Sequence, residues 1–356
     1  MPGDLDALAR RFSFGAQEFV SSPLYRRLCQ ATAADPELLA IAAQCRAGQQ
    51  PTNLFLAAVH FLLLGGASPA LAAFYPSVAG AAARNPDGVE PMFRSFCLAH
   101  REALAALVST RLVQTNVVAR SAALRLGLAV VARRSERPVT LLEVGCSAGV
   151  HLCFDRFEYR IAGRSWGASG SPVQISSEWR GEAPPPDQDR LPALAGRLGV
   201  DLNPVDARDP EARRWLRALV WPENGAEAAL LERALDVVAA EPPRIIAGDA
   251  LEVLPRLQHD LPADEPLVLF HAATRAHVPQ ELRPRFDAAI VALGQRRPLF
   301  WLSLEGPLHP DPRVPAGLPA HVLALRQIDG ATRTEEHLAL VEGHAEWLQP
   351  LDLQGQ

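Results

Sequence analysis

Glu143-Val144-Gly145-Cys146-Ser147-Ala148-Gly149 is the segment whose residue types and spacing say most about chemistry. An acid stands in the apolar run that ends at Val144, and two glycines follow it. Glycine suits a backbone that turns at positive φ or approaches a ligand, because a Cβ there costs on the order of 1–2 kcal/mol. The pattern predicts a strand, a turn and the start of a helix, whose first N–H groups lack intrahelical acceptors and can serve a polar ligand. The same letters satisfy Gly-x-Ser-x-Gly, in which Ser147 would be a nucleophile, Glu305 its orienting acid and His337 or His344 its base. That reading leaves Glu143 without a task, and no His-Gly-Gly-type loop precedes it to build an oxyanion hole. Asp201, and Asp249 after Gly248, can accept ligand hydroxyls or amines through charge-assisted hydrogen bonds. Asp249 would serve equally well as a helix N-cap, and Glu178 and Asp206 compete with Asp201. His271 and Glu305 each end an apolar run, and a His–Glu pair there could remove a proton from a hydroxyl or amine near neutral pH. Gln114, Asn116 and Arg120 open a late helix as candidate substrate contacts, since the planar fork of Arg120 can hold a carboxylate in bidentate fashion.

The Glu143–Gly149 segment resembles the first motif of class I S-adenosylmethionine-dependent methyltransferases, acid-x-Gly-x-Gly-x-Gly, with Ser147 at the middle glycine. The resemblance implies that S-adenosylmethionine is the cofactor and that Glu143, Gly145, Ser147 and Gly149 cradle its methionine and ribose. It also implies that Asp201 binds the ribose hydroxyls and Asp249 the adenine amine, with a small molecule as methyl acceptor. A wider pattern joins Gln114-Thr115-Asn116, Asp155-Arg156-Phe157, Asp201-Leu202-Asn203-Pro204-Val205-Asp206 and Trp221-Pro222 to this motif. Together these resemble a bacterial family known as domain of unknown function 2332, which brings a methyltransferase-like fold and no established reaction. In that family the residue after Gln-Thr-Asn is often acidic, whereas here it is Val117. A carboxylate acting from that position would be lost or changed. That departure makes a cofactor-binding regulatory protein without turnover the runner-up, beside a non-methyl use of the same cofactor.

These residues need elements to hold them. Up to about residue 135 apolar residues recur at helical spacing, so residues 1–135 read as an all-α domain serving as lid or substrate-recognition wall. In its last helix Thr115 stands as N-cap. From Val139 short apolar runs alternate with helical segments, which predicts a mostly parallel sheet with helices on both faces over residues 136–356. Strands are expected at 139–144, 198–202, 244–247, 267–271 and 299–304, with an antiparallel pair at 321–327 and 337–342 around Asp329-Gly330. Helices are expected at 209–240, 250–257 and 279–293, and a long insertion within 165–192 separates the first strand from Asp201. With the resemblance, the fold class is α/β, a Rossmann-like class I methyltransferase fold with seven strands. Two proline-rich stretches, 184–192 and 307–319, read as loops.

All 35 basic residues are arginines, which excludes a Schiff-base lysine and a Walker A lysine. The net charge of −5 leaves no cationic field for a phosphate backbone, so nucleic acid is not expected as a partner. Five scattered cysteines with no C-x-x-C suggest a reducing cytoplasm, and no spacing suits a metal. The longest apolar stretch, 54–64, is too short for a membrane span of about 20 residues, and Arg10-Arg11 lacks the apolar segment of an export signal.

Overall fold

The computed structural model describes residues 5–46, 48–306 and 320–351. Its strands are β1 (Val139–Val144), β2 (Glu158–Ile161), β3 (Arg164–Gly167), β4 (Gln174–Trp179), β5 (Leu194–Asp201), β6 (Arg244–Ala247), β7 (Leu267–Ala272), β8 (Leu299–Glu305), β9 (Ala320–Asp329), β10 (Thr332–Glu342) and β11 (Trp347–Pro350). They form one mixed sheet in the order β3-β2-β4-β11-β10-β9-β8-β7-β1-β5-β6. The expected seven strands are therefore corrected to eleven among the described residues. The additional ones are short: β4 and most of β3 fall in the 165–192 stretch where the sequence suggests an insertion, β2 lies ahead of it, and β4 buries alternate residues, Ile175 and Ser177, between exposed Gln174, Ser176 and Glu178. β11 extends the antiparallel end and joins β4 in parallel.

The block from β6 to β8 is parallel throughout. From β6 across to β8 it runs third, second, first, fourth, fifth in chain order if β2, β3 and β4 are set aside. The order thus reverses between β1 and β7. In doubly wound sheets the crevice beyond the carboxyl ends at such a reversal is where ligands bind. On one face, helices Ala250–Asp260 and Arg283–Leu293 bring Leu254 and Phe286 into a core with Leu142, Val144, Leu269 and Trp301. Successive strand residues alternate faces, so Leu141, Glu143 and Phe270 point to the other. There helix Ser121–Val131 is buried along its whole length. Gly127 permits that approach: a Cβ on it would lie 2.6 Å from a Leu302 methyl carbon.

Several expected boundaries move. The helix at Ser121 follows a 3₁₀ turn, Val118–Arg120, and has no side-chain cap, so Thr115 is not its N-cap. Gly149 leads into a 3₁₀ run, His151–Arg156, with Cys153 outside helical geometry, where an α-helix was expected. The expected helix over 209–240 is two helices, Pro210–Leu219 capped by Asp209 and Gly225–Ala240, with Pro222 between them. The loop expected at 307–319 lies outside the described residues.

The contacts divide the chain into two units, residues 1–116 with 208–232, and residues 117–207 with 233–356. In the first, helix Pro51–Leu64 is buried almost all round and its Phe61 ring meets Trp215 of helix Pro210–Leu219 edge-on at 5.8 Å. The Trp215 indole N–H donates to the Leu112 carbonyl at 2.9 Å. The second unit holds the sheet and helix Ser121–Val131.

Candidate functional site

At the carboxyl end of β1, Glu143 is 2% exposed. Its Oε1 lies 2.7 Å from His151 Nδ1, and His151 Nε2 lies 3.1 Å from the Val117 carbonyl oxygen. A carbonyl only accepts, so Nε2 carries a proton and the Nδ1–Oε1 contact shares one more. Burial pushes the Glu143 carboxyl up, with nearby Asp201 adding to it and His151 offsetting it in part. Glu143 Oε2 is buried and has no partner.

The glycine turn that follows has Gly145 at φ +76°, Ser147 at +51° and Gly149 at +77°. A Cβ on Gly145 would fall 2.3 Å from Thr274 Oγ1, and one on Gly149 would fall 2.7 Å from Pro243. Thr274, in the loop after β7, is thus pressed onto the turn after β1. Asp201, at the end of β5, laces the same turn: its Oδ2 accepts from Ser147 N at 2.7 Å and its Oδ1 from Asn203 N at 2.8 Å. Asp249 accepts from Leu251 N at 2.8 Å and caps helix Ala250–Asp260. Glu178 on β4, the exposed rival of Asp201, pairs with Arg180.

At the ends of β7 and β8 the structure does join the two residues singled out by type. His271 Nδ1 lies 2.7 Å from Glu305 Oε1, and His271 Nε2 lies 2.9 Å from Trp301 Nε1. An indole N–H only donates, so Nε2 accepts and Nδ1 donates its proton to Glu305. The ring is fully buried with both nitrogens engaged, a positioning arrangement in which His271 holds Glu305. Glu305 Oε1 also accepts from the amides of Thr274 and Arg275, each at 2.9 Å. Burial alone would push this carboxyl up, but the His271 bond and the two amides bring it below the ordinary glutamate value. Its Oε2 is buried without a partner.

Arg120 Nε donates to the Gly343 carbonyl at 2.9 Å, at the end of β10. Gln114 and Asn116 fall in the helical unit, where Asn116 Nδ2 donates to the Gln114 carbonyl at 3.2 Å. Sequence reasoning passed over His151, Trp301 and His321. His151 carried one signal, an isolated polar residue between Val150 and Leu152-Cys153-Phe154. His321, at the start of β9, feels both Arg120 and Glu305, and burial with the Arg120 charge lowers its base to about 4. Among the described residues no three His, Cys, Asp or Glu side chains cluster as metal ligands, and no helix is long and apolar enough to cross a membrane.

A family model described as an uncharacterized protein conserved in bacteria (DUF2332) matches residues 9–349. No curated protein and no solved structure matches the chain.

Proposed function

The chain belongs to the DUF2332 family, and from that membership and the site geometry we propose that it binds S-adenosylmethionine where β1 and β7 end and transfers a methyl group to a small molecule. Glu143 carries the reading. It stands at the end of the first strand of the parallel block, ahead of two positive-φ glycines, with one buried carboxylate oxygen unpartnered. Leaving such an atom unsatisfied costs about 1–3 kcal/mol, which the amino group at the methionine end of the cofactor would relieve. The fit is at that end. Asp201 spends both oxygens on main-chain amides, and Thr274 fills the space over Gly145, so the ribose and adenine require the loop after β7 to shift.

The cofactor supplies the electrophilic methyl group; the remaining tasks belong to the chain. Glu305, held ionised by His271 and two amides, offers Oε2 to the proton of an acceptor hydroxyl or amine. His271 keeps that oxygen in place, and Trp301 fixes the His271 tautomer. Holding donor and acceptor in line is the main catalytic contribution such a site makes.

Titration calorimetry with S-adenosylmethionine and S-adenosylhomocysteine tests the reading. Binding of either, weakened at least 10-fold by Glu143→Gln, supports it, and no heat at millimolar ligand overturns it. The regulatory reading has an observation of its own, the closed contact of Thr274 on Gly145. It predicts cofactor bound and recovered unchanged, where an enzyme releases S-adenosylhomocysteine.

A further inference from the structure

Arg125 lies in the middle of helix Ser121–Val131, is 4% exposed, and sits with its guanidinium carbon 5.1 Å from the centroid of the Tyr159 ring. Charged side chains are almost never this buried unless paired. Arg125 makes one hydrogen bond, from Nη2 to the main-chain carbonyl of Gln188 at 2.6 Å, and its Nε has no partner. The two carboxylates that act on it do so from a distance. Asp155 is held in bidentate fashion by Arg197 at 2.8 Å, and Asp189 is exposed at the surface.

Gln188 repeats the anomaly on the facing segment. It is completely buried, and neither its amide nitrogen nor its amide oxygen has a partner. It belongs to the stretch 181–193 between β4 and β5, which contains Pro184, Pro185, Pro186 and Pro192 and forms no regular element. A loop glutamine ordinarily turns its amide to water, yet this one is fully buried on the residue whose carbonyl takes the bond from a guanidinium that has no carboxylate partner. Two donors, Arg125 Nε and Gln188 Nε2, and one acceptor, Gln188 Oε1, are thus buried and unpartnered on two residues that the Nη2–carbonyl bond joins.

We propose that Arg125 and Gln188 form a ligand site for a small α-amino or α-hydroxy carboxylate, closed by the 181–193 segment. The carboxylate takes the two donors, with the guanidinium fork giving it a fixed plane. The amino or hydroxyl group on the adjacent carbon donates to Gln188 Oε1. The ligand enters as the 181–193 segment lifts, exchanging the Arg125 bond to the Gln188 carbonyl for one to the carboxylate. The site rests on residues other than those of the cofactor reading and stands or falls separately.

Full-length protein is to be followed by thermal denaturation and calorimetry with L-alanine, L-lactate, acetate and inorganic phosphate. Alanine or lactate raises the melting temperature, and acetate, which lacks the second donor, binds at least 10-fold more weakly. Arg125→Met removes the shift, and its ligand-free form melts no lower than wild type, since an apolar chain replaces an unpaired buried charge. Gln188→Leu, in the loop, weakens binding at least 10-fold and decides the matter should Arg125→Met fail to fold. No shift with alanine or lactate, an equal response to phosphate, or a shift that survives both substitutions overturns the proposal.

Discussion

Two buried glutamates at one sheet edge, each bound to a histidine, carry opposite electrostatics. Glu305 has its carboxyl lowered, so it contributes stability that is full above the ordinary glutamate range, about 4.3, and is lost as pH falls through its folded value. Glu143 has its carboxyl raised, so its contribution is full below that range and is lost as pH rises through the folded value. Melting temperature measured against pH should therefore lose part of its acid limb in Glu305→Gln, and Glu143→Gln should stabilise the protein most at the alkaline end. Identical profiles for the two variants would contradict the assignment. Gly145 invites a different test. Its φ of +76° and the Thr274 contact together predict that Gly145→Ala costs at least ~2 kcal/mol in urea unfolding. Thr274→Gly in the same chain should return part of that, a coupling of at least about 0.5 kcal/mol. At this scale the sequence shows residue type well and partnership poorly. Glu143, His271 and Glu305 stand out because acids and histidines at the ends of apolar runs are conspicuous. Asp201 and Asp249 stand out equally, yet the main chain takes up both Asp201 oxygens and one of Asp249's. No spacing rule foretells that His151 folds back onto Glu143 across the glycine turn.

Elements are legible where their pattern is long or unmixed. The apolar runs of β1 and β6 fix those strands at the expected residues, and β7 and β8 each extend one residue further. β2, β3 and β4 escape because four to six residues with at most two large apolar side chains look like loop when prolines and glycines flank them. Helix Pro51–Leu64 hides a polar tie of the same kind. His60 Nδ1 donates to the Ala218 carbonyl at 3.0 Å, and Nε2 accepts from the Ser77 hydroxyl at 2.6 Å, joining three segments of the helical unit through a neutral ring. Burial lowers its base from 6.5 to about 4. A base lowered by folding gives stability that is complete above the unfolded value and drains away as pH falls toward the folded one. The span is at most (6.5 − 4) × 1.36, about 3 kcal/mol, between pH 6.5 and 4. His60→Gln should show a smaller loss than wild type when unfolding free energies at pH 7 and pH 4.5 are compared. An unchanged difference would mean that the ring is not held neutral.

The chain crosses between its two units three times, since residues 208–232 return to the helical unit after the sheet has begun. A linear reading of periodicity places one boundary near residue 135, because it sees where helices stop and strands start. It cannot see that helix Pro210–Leu219 lays Trp215, Leu216 and Leu219 into the first unit, a long-range contact encoded only in the amphipathic stripe of that helix. Nor does it see that helix Ser121–Val131 belongs with the sheet, where Gly127 admits Leu302. The crossing makes a prediction about dissection. A fragment beginning at residue 117 retains the complete sheet but carries Trp215, 4% exposed in the whole protein, and its neighbours with nothing from residues 1–116 to cover them. Each large apolar side chain returned to water forfeits roughly 1.5–3 kcal/mol, so the fragment should aggregate. A fragment beginning at residue 135 also loses helix Ser121–Val131 and should fold less well still. The same 117–356 fragment expressed together with residues 1–116 should regain solubility and elute as one complex on gel filtration. A 117–356 fragment that stays monomeric with a native melting transition would show that residues 208–232 need no partner from the helical unit, and the contact division would then not mark folding units.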